Sequence, residues 1–489
     1  MKAIKRLGAL TGKKILLVGL GRLGGGVAAA RFFASRGAQL TVTDQLSVDN
    51  LAVSLRTLKK YRIIYTLGRH DKKDFVGKDM IVFNQAVSAT SPWVSYARRH
   101  CKEVYNDLTF FLSWLSNYPG VAYVGVTGTR GKTTVTTWIG HLLKPSIVGG
   151  NMPHNGLYTI IEKIEKNNLF SRSQEHKNKK KCVQKPIVLE LSSFQLEYVL
   201  GAAKAPHVAV ITNLSQDHLN RHGTMEEYAR VKGLIFKNQK SSDVLVLNAD
   251  TAYVKNFLAM KPRGKVIFFS LKQLPASSDG LYAHKGRIYN KEGNVKTFIA
   301  PMPYIAEHDQ RNFLATIAAV HAYGAPWDAV LRRARTLPTI PFRQQVVYQD
   351  KKVTIINDSA ATSPEGAIAA LRALASHARS LAFICGGTDK QLDMMPLAYE
   401  LKKILPIKNL FLLEGSATKK LFVDMKRVGY GKKTQPAIYD NLEDIITAIK
   451  KHKKFTHIIL SPGAASFEKF KNEFDRGRKF NAFIKAQWG

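Results

Sequence analysis

Val124-Gly-Val-Thr-Gly128-Thr-Arg-Gly131-Lys132-Thr133-Thr134 is the stretch that decides how this chain is read. An apolar run, Val121–Val126, leads into it, and a helix-length segment leads out. Strand, glycine loop and helix in that order make a phosphate cradle. Glycines let backbone amides approach the ligand, and the helix N-terminus favours negative charge. Lys132 is placed to neutralise β- and γ-phosphates, and the Thr133 hydroxyl to ligate Mg2+. Val126 stands five residues before Gly131, so the spacing is not the common G-x-x-x-x-G-K-[ST]. The compact Gly-x-x-Gly-Lys-Thr-Thr form carries the same logic. Gly128, Thr129, Gly131, Lys132, Thr133 and Thr134 are the expected cradle residues.

Further short apolar runs lie on both sides, with helical patterns between them. They include Ile15–Val18, Leu40–Thr43, Met80–Phe83, Ile187–Leu191, Val208–Thr212, Val244–Leu247 and Val266–Phe269. Strands alternating with helix-length segments imply parallel sheets in an α/β protein. The rhythm changes at Gln345–Ile356, which reads as a β-hairpin, and resumes with Leu381–Cys385, Leu410–Leu413 and Ile458–Leu460. Asn117-Tyr-Pro-Gly120 and Leu337-Pro-Thr-Ile-Pro341 read as breaks. They divide the chain into a Rossmann-like domain (1–118), a P-loop ATPase-like α/β domain (119–339) and a second Rossmann-like domain (340–489). The length of 489 residues suits about three domains. One biased segment, Glu162 to Lys185, is rich in Lys, Asn and Ser and reads as an exposed insertion.

Apolar residues make up 45 % and charged residues 22 %, which excludes a disordered chain. The unusual number is a net charge of +38. It points to anionic partners: nucleic acid, an acidic membrane or phosphorylated small molecules. Three cysteines (Cys101, Cys182, Cys385) form neither a disulfide framework nor a zinc spacing. No run of eighteen apolar residues occurs, so no membrane insertion is expected, and the expected location is cytoplasmic.

Three other motifs carry chemistry. Gly19-Leu-Gly21-Arg-Leu-Gly24 follows the first apolar run, and Asp44 ends the second, at a distance suited to a ribose hydroxyl. The loop reads as a nucleotide site, a redox cofactor site or a structural turn. Glu190, in Val188-Leu-Glu190-Leu-Ser192-Ser193-Phe-Gln195, interrupts an apolar strand. A buried carboxylate there needs a compensating charge such as Mg2+, unless it reaches solvent. Asp217 and His218 follow the strand Val208–Thr212, at the end where open α/β sheets bind ligands. Two phosphate-type loops in one chain suggest ATP-driven chemistry on a nucleotide-linked substrate.

At this point the residues resemble the Mur ligase family of bacterial cell-wall synthesis, over nearly the whole chain. Glu190-Leu-Ser-Ser-Phe-Gln-Leu, Ile356-Asn-Asp358-Ser-Ala-Ala-Thr362 and Leu460-Ser-Pro-Gly-Ala-Ala-Ser466-Phe-Glu-Lys-Phe-Lys-Asn472 carry the resemblance. It implies three domains that bind in turn a UDP-substrate, ATP and an amino acid. The member most resembled joins D-glutamate to UDP-N-acetylmuramoyl-L-alanine, using ATP, through an acyl phosphate. The resemblance implies Mg2+ at two sites, with Thr133 and Glu190 at one and His218 at the other. It makes Lys132, His218 and Lys232 the catalytic set, with Lys232 carbamylated so that it can help hold Mg2+. Asn312, Arg343 and Asp358 would meet ATP, and His308 would lie nearby. Arg22, Leu23 and Asp44 would meet the UDP moiety, and Asn151, Ser193 and Gln195 the rest of that substrate. Thr362, Lys390 and Ser466 would hold the D-glutamate carboxylates. A monomer that binds no nucleic acid is expected.

The sequence departs from the family pattern in places. Phe342 replaces a usual His, Gln345 a common Glu, Ala360 a frequent Lys, and Asp309 an Asn. Asn84-Gln-Ala replaces a common Ser-Pro-Gly turn. Two other readings compete: a nucleic-acid-binding ATPase, favoured by the charge, and a dinucleotide-dependent oxidoreductase, which leaves Lys132 unexplained. A folate-type ligase of the same superfamily would lack the Gly19–Gly24 loop.

Overall fold

The apolar runs of the first hundred residues fold into one parallel sheet. Its strands are β1 (Lys14–Val18), β2 (Gln39–Asp44), β3 (Ile63–Leu67), β4 (Met80–Phe83) and β5 (Val104–Asn106), in the order β3-β2-β1-β4-β5. β1 and β4 are apolar throughout their buried length because helices cover both faces. The strand order reverses between β1 and β4, which opens a crevice at their C-terminal ends. There the Gly19–Gly24 loop faces the segment Asn84–Val87. Gly19 has φ +90°, and a Cβ on it would stand 3.0 Å from the Asn84 Cβ, so the approach demands glycine.

The computed structural model describes residues 10–22, 24–152, 155–170, 185–199, 204–304, 306–431, 434–452 and 454–489. Leu23, Cys182 and residues 171–184 of the basic segment lie outside the described residues.

The second sheet has nine strands: β6 (Tyr123–Thr127), β7 (Ile147–Gly150), β8 (Ile187–Glu190), β9 (Val208–Ile211), β10 (Val244–Asn248), β11 (Lys265–Ser270), β12 (Gly280–His284), β13 (Arg287–Glu292) and β14 (Val295–Pro301). Their order is β14-β13-β12-β11-β10-β9-β6-β8-β7. β6 runs parallel between β8 and β9, with Val126 opposite Glu190. The loop after β6 therefore opens between the ends of those two strands. β12–β14 end the sheet as an antiparallel meander that the apolar pattern did not reveal. Its last two strands bury little besides Ile288 and carry Arg287, Lys291 and Lys296, so they lack an apolar run.

The third sheet contains β15 (Gln345–Gln349), β16 (Thr354–Asn357), β17 (Leu381–Gly386), β18 (Leu410–Leu413), β19 (Ala437–Tyr439) and β20 (His457–Leu460). Their order is β15-β16-β20-β17-β18-β19. β15 and β16 form the expected hairpin, and the other neighbours are parallel. Among the described residues, no helix is long and apolar enough to cross a membrane.

By packing, the chain forms two compact units, Met1–Pro338 and Thr339–Gly489. The first unit holds two sheets, because their helices share a core. Phe32 and Phe33 lie on the helix Gly25–Ala34 beside β1, and Tyr158 lies on the helix Leu157–Lys166 beside β7. Ring centres stand 4.9 Å apart for Phe32–Tyr158 and 5.2 Å for Phe33–Phe110. The first two sheets thus lie over one continuous core. In the second unit, Arg476 is fully buried and donates to the carbonyls of Ser359, Ala464 and Ala465 and to the Ser359 hydroxyl. Burial pushes its pKa down to about 10, which leaves it charged at neutral pH. This guanidinium ties the loop after β16 to the loop after β20.

Phe33→Ala removes a fully buried ring from the shared core and is expected to cost about 3–5 kcal/mol, read as a lower denaturant midpoint for the first unit.

Candidate functional site

The glycine loop after β6 is strapped to the end of β9. The Thr129 amide donates to the Asn213 carbonyl (3.1 Å) and the Arg130 amide to Asn213 Oδ1 (2.9 Å). Thr212 Oγ1 donates to the Arg130 carbonyl at 2.6 Å. The Thr129 hydroxyl is buried and bonds with both the carbonyl and the amide of Ser215. Thr129, expected in the phosphate cradle, therefore spends its amide and hydroxyl on holding the loop. The amides that a helix leaves without partners within itself lie further on, in the first turn of Lys132–Leu142. Gly128 has φ +147°, and a Cβ there would fall 1.9 Å from Thr212 Oγ1. Gly131 has φ +77°, and a Cβ there would fall 2.2 Å from Asn312 Oδ1. The buried Asn312, on the helix Glu307–Ala322, is thereby packed on the loop. His308, one turn earlier, lies 3.5 Å from the Asp309 carboxylate, whose pKa burial raises.

Two lysines converge on one carbonyl of this loop. Lys132 Nζ donates to the carbonyls of Gly128 and Thr129, both at 3.0 Å. Lys232, on the helix Met225–Gly233, donates to the same Gly128 carbonyl at 2.8 Å. Lys232 is 1 % exposed. Burial, and then the neighbouring Lys132 charge, hold its pKa well below the usual lysine value, while Asp217 and Glu190 oppose the shift. Nothing in the local sequence distinguishes Lys232 from a surface lysine, yet the fold buries it.

Glu190 ends β8 beside the loop and is 3 % exposed. Thr133 Oγ1 donates to its Oε2 at 2.7 Å, and Asn151 Nδ2 faces its Oε1 at 3.4 Å. The carboxylate therefore does not reach solvent. Its neighbours are a hydroxyl and an amide, and no fixed cation neutralises it at bonding distance among the described hydrogen bonds. Among the described residues, no group of three His, Cys, Asp or Glu could hold a metal by itself. The oxygens of Thr133 and Glu190 suit a hard cation that also takes phosphate oxygens.

His218 has φ 56° and precedes the short helix Leu219–His222. Its ring packs edge-on to Phe194 at 5.0 Å and keeps 39 % of the side chain exposed. Asp217 is buried, 3.8 Å from His218 and 3.5 Å from Arg130. Arg221, which no sequence signal singled out, forms a bidentate pair with Glu197, with both nitrogens at 2.8 Å. The same guanidinium donates to the carbonyls of Gln85, Ala86 and Val87. It clamps the crevice segment of the first sheet onto the helices beside the glycine loop.

Several expected ligand groups turn inward. Ser193 is buried and meets His222 Nε2 at 3.0 Å. Burial pushes the pKa of His222 down to about 4, so the ring is neutral at pH 7. Gln195, 1 % exposed, accepts from the Ser192 amide and donates to Asp107 Oδ2 at 2.8 Å. Both residues thus brace the helix Ser193–Leu196. Asp44 accepts backbone amides of Leu20 (2.7 Å) and Gly21 (2.9 Å) on one oxygen and of Leu46 (2.8 Å) on the other. It anchors the first glycine loop, whereas spacing alone suggested a ribose acceptor. Arg22 stands exposed on that loop.

In the second unit, the loops after β16, β17 and β20 leave the same end of the sheet. They carry Asp358 and Thr362, Lys390, and Ser466 respectively. Asp358 is buried and accepts from Ser461 Oγ (2.7 Å) and the Gln344 amide (3.1 Å). Among the described residues, Ser466 Oγ is buried without a hydrogen-bond partner. The departures at Phe342 and Gln345 have local reasons. The Phe342 ring occupies the space where a Cβ on Gly477 would stand, 2.4 Å from its nearest ring atom. Gln345 Oε1 accepts the Phe342 amide at 3.0 Å, and the Ala360 amide donates to the Phe342 carbonyl at 2.9 Å. Arg343 follows Phe342 on this braced turn.

A glycine loop on a central parallel strand, a buried carboxylate and two converging lysines define an α/β enzyme that handles a nucleoside triphosphate. Residues 126–320 match the Mur ligase middle domain. A UDP-N-acetylmuramoylalanine–D-glutamate ligase of Roseiflexus sp. (strain RS-1) is 33 % identical, covering 98 % of this chain and 99 % of its own. The ligase of that name from Symbiobacterium thermophilum is 32 % identical, covering 94 % and 95 %. Among solved structures, the UDP-N-acetylmuramate–alanine ligase of Thermotoga maritima superposes with a TM-score of 0.57 at 21 % identity, covering 97 % of this chain and 100 % of its own. A MurF of Acinetobacter baumannii gives 0.54 at 15 %, covering 86 % and 93 %. These likenesses show a shared fold. The chain belongs to the Mur ligase family.

Gly131→Ala forces a side chain into a left-handed backbone and against Asn312. It is expected to weaken ATP binding about tenfold or more, measured by isothermal titration, while the fold is retained.

Proposed function

We propose that this chain is the cytoplasmic, ATP-dependent ligase that joins D-glutamate to UDP-N-acetylmuramoyl-L-alanine, acting as a monomer in peptidoglycan precursor synthesis. The convergence of Lys132 and Lys232 on the Gly128 carbonyl, beside Glu190 and Thr133, carries this reading. The names and full-length coverage of the relatives supply the choice of substrates.

A carboxylate cannot acylate an amine directly, because the leaving group would be oxide. In the first step a carboxylate oxygen of the UDP-substrate attacks the γ-phosphorus of ATP. The bond to ADP breaks, and an acyl phosphate forms. In the second step the amine of D-glutamate attacks the acyl carbon, and the tetrahedral intermediate expels inorganic phosphate. The ammonium protons lost on the way pass to solvent or base. Phosphoryl transfer depends on alignment and charge neutralisation. Lys132 supplies a cation to the β- and γ-phosphates, and Gly128, Gly131, Thr133 and Thr134 line the cradle. Asn312, Arg343 and Asp358 are assigned to the nucleotide.

The oxygen donors of Thr133 and Glu190 fit one Mg2+, and His218 with carbamylated Lys232 a second. Mg2+ supplies charge neutralisation and orientation at the phosphates. A neutral amine is the form that adds CO2, and burial keeps Lys232 neutral at lower pH than an exposed lysine. The resulting carbamate is an anion, suited to a cation-binding site. We assign residues 1–118, with Arg22, Leu23 and the loop anchored by Asp44, to the UDP moiety, and Asn151 to the muramoyl-alanine part. In residues 119–339, ATP binds. In residues 340–489, Thr362, Lys390 and Ser466 are assigned to the two carboxylates of D-glutamate, and the unpartnered Ser466 hydroxyl supports that assignment. Ser193 and Gln195 shape the substrate wall from behind.

With ATP and UDP-N-acetylmuramoyl-L-alanine present, phosphate release is expected with D-glutamate and not with L-lysine, a diamino acid or L-alanine. Release that follows a different amino acid overturns the assignment. Lys232→Ala is expected to lower kcat about 100-fold or more, with partial recovery on adding acetate or formate. No recovery by short carboxylates counts against the carbamate.

A further inference from the structure

Asn84-Gln85-Ala86 departs from the Ser-Pro-Gly turn that the family resemblance leads one to expect. The structure shows what Gln85 does. Ser192 Oγ, which also faces Gln195 Oε1 at 3.2 Å, lies 2.9 Å from Gln85 Oε1 and can donate to it. Gln85 Nε2 then donates to Asn151 Oδ1 at 3.2 Å. Asn151 turns its Nδ2 toward Glu190 Oε1 at 3.4 Å, and Thr133 donates to Glu190 Oε2 at 2.7 Å. Glu190 can only accept, so Asn151 turns its Nδ2 to Glu190 and its Oδ1 to Gln85, whose Nε2 is the donor that completes the series. The series runs from the crevice of the first sheet to the phosphate loop of the second.

The backbone on either side is held by other groups. Arg221, paired with Glu197, grips the carbonyls of Gln85, Ala86 and Val87. The Asn151 amide donates to the Glu190 carbonyl at 2.8 Å. What depends on Gln85 is therefore the side-chain orientation of Asn151, not the path of the chain. A proline in its place has no amide and cannot set it.

We propose that Gln85 is a positioning residue for the ligase reaction, acting through Asn151. It holds the Asn151 amide with its oxygen toward the first sheet and its nitrogen toward Glu190, ready for the acyl end of the UDP-substrate. The proposal rests on the function inferred above. Gln85→Glu keeps the shape but removes the donor. Asn151 then faces a carboxylate on both sides, and either orientation sets one acceptor against another. Gln85→Leu keeps the bulk and removes both polar groups.

The test is steady-state phosphate release by the full chain, varying UDP-N-acetylmuramoyl-L-alanine and ATP in turn. Both variants are expected to lose about tenfold in kcat/KM for the UDP-substrate, while KM for ATP stays within about twofold. In an Asn151→Ala background, Gln85→Glu is expected to cost less than about twofold more, because its effect passes through Asn151. Thermal melting of the variants checks that the fold persists. A Gln85→Glu enzyme with wild-type kcat/KM overturns the proposal, since a packing role tolerates that isostere. Multiplying losses in the double variant overturn it also. A wild-type protein that releases no phosphate with D-glutamate overturns the underlying function, and the proposal falls with it.

Discussion

The site turns on two ammonium-bearing side chains aimed at one carbonyl oxygen. Lys132 and Lys232 both donate to Gly128 O, at 3.0 and 2.8 Å, inside a wall that buries Lys232 almost completely. Two charged ammonium groups aimed at one oxygen, one of them almost fully buried, repel each other strongly. Relief comes in two ways: Lys232 gives up its proton, or anions enter. The first is the direction that burial and Lys132 impose on Lys232. The second is what a triphosphate and a carbamate would supply. Glu190 and Asp217 limit the repulsion without removing it. The glycine loop, the placement of β6 between β8 and β9, and the strap of Thr212 and Asn213 all serve to hold that carbonyl where both lysines reach it.

The same constraint separates what the sequence made legible from what it concealed. The phosphate loop and the alternation of strands were readable because glycine spacing and apolar runs are local signals. Asn312 and Glu190 were placed by motif, and the structure brings both to the loop. The burial of Lys232 was invisible, since no local pattern distinguishes a lysine pointing into a protein from one pointing out. Arg221 was overlooked for a similar reason: its partners lie at 85–87 and 197, and only folding gathers them. Ser193, Gln195 and Asp44 sat in the right motifs, yet their polar atoms bond within the protein. Motifs mark the neighbourhood of a ligand and do not say which side of a helix or loop faces it. The β12–β14 meander escaped because charged side chains dominate its outer strands.

Charge has a similar division. The net +38 first pointed to polyanions, while the groups assigned to ligands are a few of 74 basic residues. Arg476 shows a third use, as a buried cation that joins the loops after β16 and β20 by hydrogen bonds to their carbonyls. In the first unit Arg221 holds the carbonyls of Gln85, Ala86 and Val87 while pairing with the Glu197 carboxylate. Each is an arginine, whose planar fork can hold several carbonyls at once in a way that an ammonium cannot. The remaining basic residues are read as solvated surface, which can also steer anionic substrates.

The carbamate proposed on Lys232 would relieve the positive charge there and replace it with an anion. Carbon-13 NMR of the purified full-length protein equilibrated with 13C-bicarbonate tests it directly. One protein-bound carbamate resonance is expected near neutral pH, fading as acid protonates and decomposes the adduct, and absent from Lys232→Ala. A wild-type spectrum with no carbamate signal, or one that survives unchanged in Lys232→Ala, contradicts the account.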